Sequence, residues 1–123
     1  MQMVSRIAVW AIGGLRAATG VWLLADAQSA AQRWVGDDGV GAQYLAGAVG
    51  GRDLVIGTGI MWSMLGERDP LPWLAASVVA DGVDAATGAG LLSGDRRRTT
   101  IAVAGGFGLA GAVTALLFRS VSR

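Results

Sequence analysis

Four apolar stretches follow one another along this chain, each close to the roughly 20 residues that a helix needs to cross the hydrocarbon core of a bilayer. They cover about residues 4–25, 42–65, 70–92 and 100–118, and the last carries no charge at all. The connections at 66–69 and 93–98 are short and polar, as antiparallel neighbours require. A length of 123 residues suits one domain. An apolar share of 53% with only 15% charged residues is typical of a chain solvated by lipid. The expected fold is all-α: a polytopic membrane protein whose single domain, 1–123, is a four-transmembrane-helix antiparallel bundle.

The first connection is longer. In segment 26–35, Ala27, Ala30, Ala31, Trp34 and Val35 share one helical face, with Gln28, Ser29, Gln32 and Arg33 elsewhere. The segment reads either as a short helix lying in the membrane interface or as a plain loop. Trp10, Trp22, Trp62 and Trp73 fall towards span ends, where indoles prefer the headgroup region. Ala25-Asp26-Ala27 has the small-x-small pattern of a signal-peptide cleavage site, but Arg16 would interrupt the apolar region such a peptide needs, so the first stretch is expected to remain as a span. An even number of spans puts both termini on one side. Arg6, Arg68, Arg119 and Arg123 lie there, against Arg33, Arg96, Arg97 and Arg98 opposite. The positive charges are evenly matched and do not decide the orientation; the more even spread of the first set leans the termini to the cytoplasm.

Five ionisable residues sit inside the spans, each near a helix centre: Arg16, Arg52, Asp53, Asp81 and Asp84. A charge there costs about 2.5–3.5 kcal/mol on insertion scales, so the third span, with two, must offset about 5–7 kcal/mol. That cost argues against lipid-facing placement, and the side chains are expected to point inward and meet. Their spacing agrees. Ser77, Asp81, Asp84 and Gly88 form one stripe at i, i+4, i+7 and i+11. Arg16 shares its face with Gly13 and Gly20, and Asp53 with Gly50 and Gly57, which leaves room for close approach or a cavity. Ala104, Gly108, Gly111 and Ala115 make a small-residue seam on the fourth span, and Gly47 and Gly51 add a GxxxG spacing on the second. Arg52 and Asp53 diverge by about 100° around the helix, which sends Arg52 towards Asp81 or Asp84 and Asp53 towards Arg16. Three Asp against two Arg leave one carboxyl group without a cation, and a low-dielectric bundle favours such a group in its neutral form.

An internal echo links the halves. Gly14–Leu24 (GLRAATGVWLL) and Gly82–Leu92 (GVDAATGAGLL) are identical at seven of eleven positions, which equates Arg16 with Asp84. The second and fourth spans share a weaker Gly-Gly-x-x-Leu pattern at 50–54 and 105–109. Two related helix hairpins, repeated about an axis along the membrane normal, are the expected arrangement.

The chain has no Cys, no His and no Lys. Disulfides, thiol and imidazole catalysis, the usual zinc sites and Schiff-base chemistry are excluded. What is left is carboxylate and guanidinium chemistry, with no cofactor or metal expected. A net charge of +1 without a basic tail gives no sign of nucleic acid as a partner. Gly36-Asp37-Asp38-Gly39 has the composition of a turn rather than a cation site. Arg96–Arg98 reads as a topology signal, with anionic headgroups as the alternative. Thr99 or Thr100 is placed to cap the fourth helix.

At Gly51-Arg52-Asp53-Leu54-Val55-Ile56-Gly57, followed by Ala80-Asp81 and Asp84, the chain resembles a family of small four-helix membrane proteins of high-GC bacteria. An Arg in the first span and the Trp34-Val35-Gly36 step extend the likeness over most of the chain. The resemblance implies a four-helix fold in the bacterial inner membrane and no assigned activity. Three functions fit the residues. One is a cofactor-free acid–base enzyme on a lipophilic substrate (an isomerase, cyclase or epoxide-opening catalyst), with Asp81, Asp84 and Asp53 catalytic and Arg16, Arg52 and Ser77 pairing charge or binding substrate. A second is a proton- or cation-coupled transporter working as a homodimer. The third is an accessory subunit of a membrane complex, whose charges only lock the helices together.

Overall fold

The apolar stretches fold as helices, and the polar connections between them are tight. The computed structural model describes residues 2–121; Arg123 of the orientation comparison lies outside them. Among the described residues there are five helices and no strand: α1 Gln2–Ala25, α2 Ala27–Trp34, α3 Val40–Leu65, α4 Leu71–Leu91 and α5 Gly94–Val121. Segment 26–35 is thus a helix and not a loop. The Asp26 carboxylate caps it by accepting from the Ser29 amide at 3.2 Å, and Ala30 and Ala31 are buried against α1 and α3. The following Gly-Asp-Asp-Gly is a turn: Gly36 takes φ 79°, and Asp37 Oδ1 accepts from the Gly39 amide at 2.9 Å.

The start of α5 departs from expectation. Thr99 and Thr100 do not cap it. The helix begins at Gly94, so Arg96, Arg97 and Arg98 belong to its first turns and the connection shrinks to 92–93. Arginine is a good helix former, and Asp95 in the first turn complements the helix dipole. Polarity made this segment read as a loop; propensity makes it a helix.

Two antiparallel hairpins build the bundle. The α1/α3 and α4/α5 interfaces are the extensive ones, and the hairpins meet along narrower α1/α5 and α3/α4 seams. In the first hairpin the backbones touch. A Cβ on Gly20 would stand 2.5 Å from the Leu54 nitrogen, and one on Gly57 would stand 2.5 Å from the Ala17 nitrogen. The glycines that flank Arg16 and Asp53 therefore give close approach at this interface and not a cavity. In the second hairpin Gly88 packs on Thr100, Gly108 on the Asp81 Cβ and Gly111 on Val78. Gly20 and Gly88, equivalent in the internal echo, each sit at the close approach of their own hairpin. The weaker echo does not carry over, because Gly50 is packed whereas Gly105 and Gly106 face open space. Gly47 and Gly51 face open space too, so their GxxxG spacing is not used within the chain.

The apolar core is divided by level. Val9, Ile56, Ile60, Met64 and Leu74 form a cluster towards the end of the bundle that holds the termini. Leu23, Ala30, Ala31 and Ala46 pack α2 onto the first hairpin at the other end. Arg16, Asp53 and Asp81 each lie seven residues from a member of the first cluster (9 to 16, 53 to 60, 74 to 81), about 10 Å of helix.

Large apolar side chains also turn outward on every long helix: Leu15 and Val21 on α1, Val55 on α3, Val79 and Val83 on α4, Leu109 and Leu116 on α5. Trp22 and Trp62 are exposed, whereas Trp73 is half-buried and lays its ring over Gly59. Two helices are long and apolar enough to cross a membrane, α1 over Met3–Ala25 and α5 over Gly94–Val121. Only 11% of the most apolar part of α5 is buried, the reverse of a helix at the centre of a water-soluble core. The charges of α3 and α4 lower their mean hydropathy.

Candidate functional site

Helical periodicity brings all five internal charges to one level. Across the tight α1/α3 interface, Arg16 Nη1 donates to Asp53 Oδ1 at 2.8 Å. The other arm of the same guanidinium, Nη2, donates to Asp81 Oδ1 on α4. Arg52 grips Asp84 with a bidentate fork, Nη1 to Oδ1 at 2.9 Å and Nη2 to Oδ2 at 2.7 Å. The two expected pairs, Arg16 with Asp53 and Arg52 with Asp84, are both present.

Two expectations need correcting. Arg52 and Asp53 do not part company, because the long Arg52 side chain folds back and its Nε and Nη2 donate to Asp53 Oδ1 at 3.1 and 3.0 Å. The five residues thus form one chain, Asp81–Arg16–Asp53–Arg52–Asp84. Nor does any aspartate stand without a cation, since Asp53 is shared by both arginines and Asp81 and Asp84 each hold one. The shortfall shows up at single atoms instead. Asp81 Oδ2, Arg16 Nε and Ser77 Oγ are the buried side-chain atoms without a hydrogen-bond partner among the described residues. Each such atom costs about 1–3 kcal/mol, and folded proteins keep few of them. Three around one carboxyl group mark a place not arranged for stability alone.

Beside this network lies a cavity of about 230 Å³. Arg16, Asp53, Asp81 and Asp84 form its charged end, and Leu23, Val49, Ala104 and Phe107 give it apolar walls. Helix α5 contributes two adjacent stripes. Thr100 and Ala104 line the interior, while Thr99, Val103 and Phe107, spaced i, i+4 and i+8, are exposed at the rim. Thr19 of α1 is exposed on the opposite lip. Phe107 is at the middle of α5, so the mouth reaches the flank of the bundle along the α1/α5 seam. At the α2 end, Trp34 Nε1 donates to Thr100 Oγ1 at 3.2 Å. An apolar cavity of about 150 Å³ takes up benzene, so this one accommodates a small molecule or part of a chain.

Asp53, Asp81, Asp84 and Arg16 reach the cavity directly, and Arg52 acts behind them by holding Asp84. Ser77 is one turn from Asp81, 1% exposed, and off the cavity wall. Among the described residues no group of three or more acidic, His or Cys side chains is placed to hold a metal ion; guanidinium groups separate the three carboxylates. The sequence reading missed Thr19, Trp34 and Phe107 as wall residues and took Thr100 for a cap. Trp34 carried a signal, being the aromatic residue on the apolar face of α2. Thr19 and Phe107 carried none, because only the approach of α1 to α5 brings them to the mouth. No family model, curated protein or solved structure matches this chain.

Proposed function

We propose that this chain is a four-span bundle of the bacterial inner membrane with cytoplasmic termini, and that it is a cofactor-free acid–base enzyme for a lipophilic substrate. The outward apolar side chains of all four long helices support the four spans. The cavity carries the functional reading: it reaches the flank at mid-helix and ends on Asp81, whose second oxygen has no partner. A flank opening at that depth faces lipid, the phase in which a lipophilic substrate is dissolved.

The network suggests a division of labour. Asp84 is gripped through both oxygens, and Asp53 is shared by two guanidinium groups. With Asp81 ionised, three negative charges face two positive ones; a proton on Asp81 balances them and gives Oδ2 a hydrogen to donate. Asp81 is therefore the acid. It protonates a basic atom of the substrate, an alkene carbon or an epoxide oxygen, and the nearby carboxylates stabilise the positive charge that develops. The Asp81 carboxylate then takes a proton from an adjacent carbon. One proton given and one recovered make an isomerisation or cyclisation that needs no co-reactant.

Transport has less support. The cluster of Val9, Ile60 and Leu74 closes the side towards the termini, and a second access state would require it to open. The complete pairing of the five charges favours an interhelical lock as the second reading. Incubation in D2O with a bacterial lipid extract separates the two. Wild-type protein in vesicles is expected to introduce deuterium into a lipid species, and Asp81→Asn is expected to insert normally without doing so. Equal labelling by both proteins, or by neither, rejects the acid role and leaves the lock.

A further inference from the structure

We infer that the substrate is an amphiphile with an anionic head, phosphate or carboxylate, held between Arg33 and Arg96 while its chain runs along the cavity towards Asp81. This deepens the proposed function and rests on the cavity being a substrate site. A second, more polar cavity of about 610 Å³ lies at the α2 end, with Arg33, Ser93, Asp95 and Arg96 on its wall. Trp34, Thr99 and Thr100 line both cavities, so the two spaces adjoin across the Trp34–Thr100 hydrogen bond, with the exposed Thr99 on the rim of both.

The two ends differ in chemistry. Arg33 is in the last turn of α2 and Arg96 in the first turn of α5. Gly36, just past the end of α2, brings Arg96 close: a Cβ there would stand 2.5 Å from Arg96 Cζ, so a larger residue would displace the guanidinium. Neither Arg33 nor Arg96 has an ion pair among the described residues. The carboxylate on this wall, Asp95, does not serve them; it is 99% exposed and faces Arg98 at 3.9 Å. Two unpaired guanidinium groups at one end, and an apolar slot leading from them to a buried acid, complement an anionic head on a single chain. The lengths agree as well. Gly108 packs on Asp81, and Arg96 is twelve residues earlier on α5 (96 to 108), about 18 Å of helix. That is slightly more than half of a hydrocarbon core about 30 Å thick, the depth from a headgroup to the bilayer midplane.

The test is calorimetric binding of dodecyl phosphate to the full chain in nanodiscs of zwitterionic lipid, with dodecanol and inorganic phosphate as the separate halves of the ligand. Saturable binding of dodecyl phosphate is expected, at least tenfold tighter than either half. The double variant Arg33→Gln/Arg96→Gln should weaken it about tenfold or more through loss of charge-assisted hydrogen bonds. Ala104→Leu, which fills the slot and leaves the arginines in place, should weaken it comparably. Inorganic phosphate binding as tightly as dodecyl phosphate would reduce the site to a surface anion patch and overturn the inference. Dodecanol binding as well as dodecyl phosphate, or insensitivity to either variant, overturns it too. Asp81→Asn should bind normally, which keeps the two proposals apart. Arginine-dependent binding without deuterium labelling removes the acid role and leaves the amphiphile site. Labelling that survives the loss of both arginines does the opposite.

Discussion

Replacing Arg16 by Met leaves two carboxylates on one guanidinium. Asp53 and Asp84 then share Arg52, and the neutral Asp81 loses the donor to its Oδ1. The Arg16 side chain is 4% exposed and that of Asp53 12%, so solvent cannot replace the lost charge. Removing one side of a buried ion pair costs about 3–5 kcal/mol. Asp81→Asn is far milder, because it replaces one neutral side chain by another, leaves Arg16 on Asp53 and retains an oxygen that accepts from Arg16. Its expected cost is about 1 kcal/mol, the net worth of one hydrogen bond. The double variant Arg16→Met/Asp53→Asn leaves one carboxylate, Asp84, on Arg52 in its bidentate fork. It should recover about 2–3 kcal/mol of the cost of Arg16→Met. Pairing Arg16→Met with Asp81→Asn should give no such rescue, since a neutral Asp81 has no charge to relieve; the coupling there is about 1 kcal/mol, one hydrogen bond. Reversible unfolding in mixed micelles, followed by circular dichroism, measures all of these stabilities. Rescue by Asp81→Asn as large as that by Asp53→Asn would refute a neutral Asp81, and no rescue by Asp53→Asn would refute the pairing.

The remaining expectations concern packing and topology. Gly20→Ala puts a Cβ 2.5 Å from the Leu54 nitrogen and should cost about 1–3 kcal/mol or more. Gly47→Ala, facing open space, should be neutral or stabilising by up to about 1 kcal/mol; thermal unfolding of the two variants compares them. The chain has no native cysteine, so single cysteines report orientation cleanly. Arg68→Cys should react with a membrane-impermeant maleimide from the cytoplasmic side and Ser93→Cys from the other. Reversed labelling would invert the orientation, and labelling of both from one side would remove the four-span arrangement.

Helix positions were legible because apolar runs of this length, broken by short polar segments, have few other ways to fold. The meeting of the charges was legible for an energetic reason: Arg16, Asp53, Asp81 and Asp84 are too costly to leave unpaired, and heptad-spaced glycines bring α1 and α3 close enough to join two of them. Side-chain reach was not. Arg52 and Asp53 diverge around α3, yet the guanidinium is long enough to serve both Asp84 and its own neighbour. The start of α5 was hidden because three arginines in a row look like a solvated turn. The cavity was invisible for a deeper reason. It is the space left where two hairpins meet along a narrow seam, and it depends on the sizes of Leu23, Val49, Ala104 and Phe107 together, from three different helices.

The central claim is that Asp81 carries a proton in a cavity reached from lipid. Carbodiimides add to protonated carboxyl groups, and their partitioning can be chosen. Protein in lipid vesicles is treated with dicyclohexylcarbodiimide, which dissolves in the bilayer, or with a water-soluble carbodiimide, and the modified residues are located by peptide mass spectrometry. A protonated, lipid-accessible Asp81 gives one adduct with the apolar reagent, at Asp81 and not at Asp53 or Asp84, and that adduct is lost in Ala104→Leu. An unmodified Asp81, or equal modification by the water-soluble reagent, contradicts the claim.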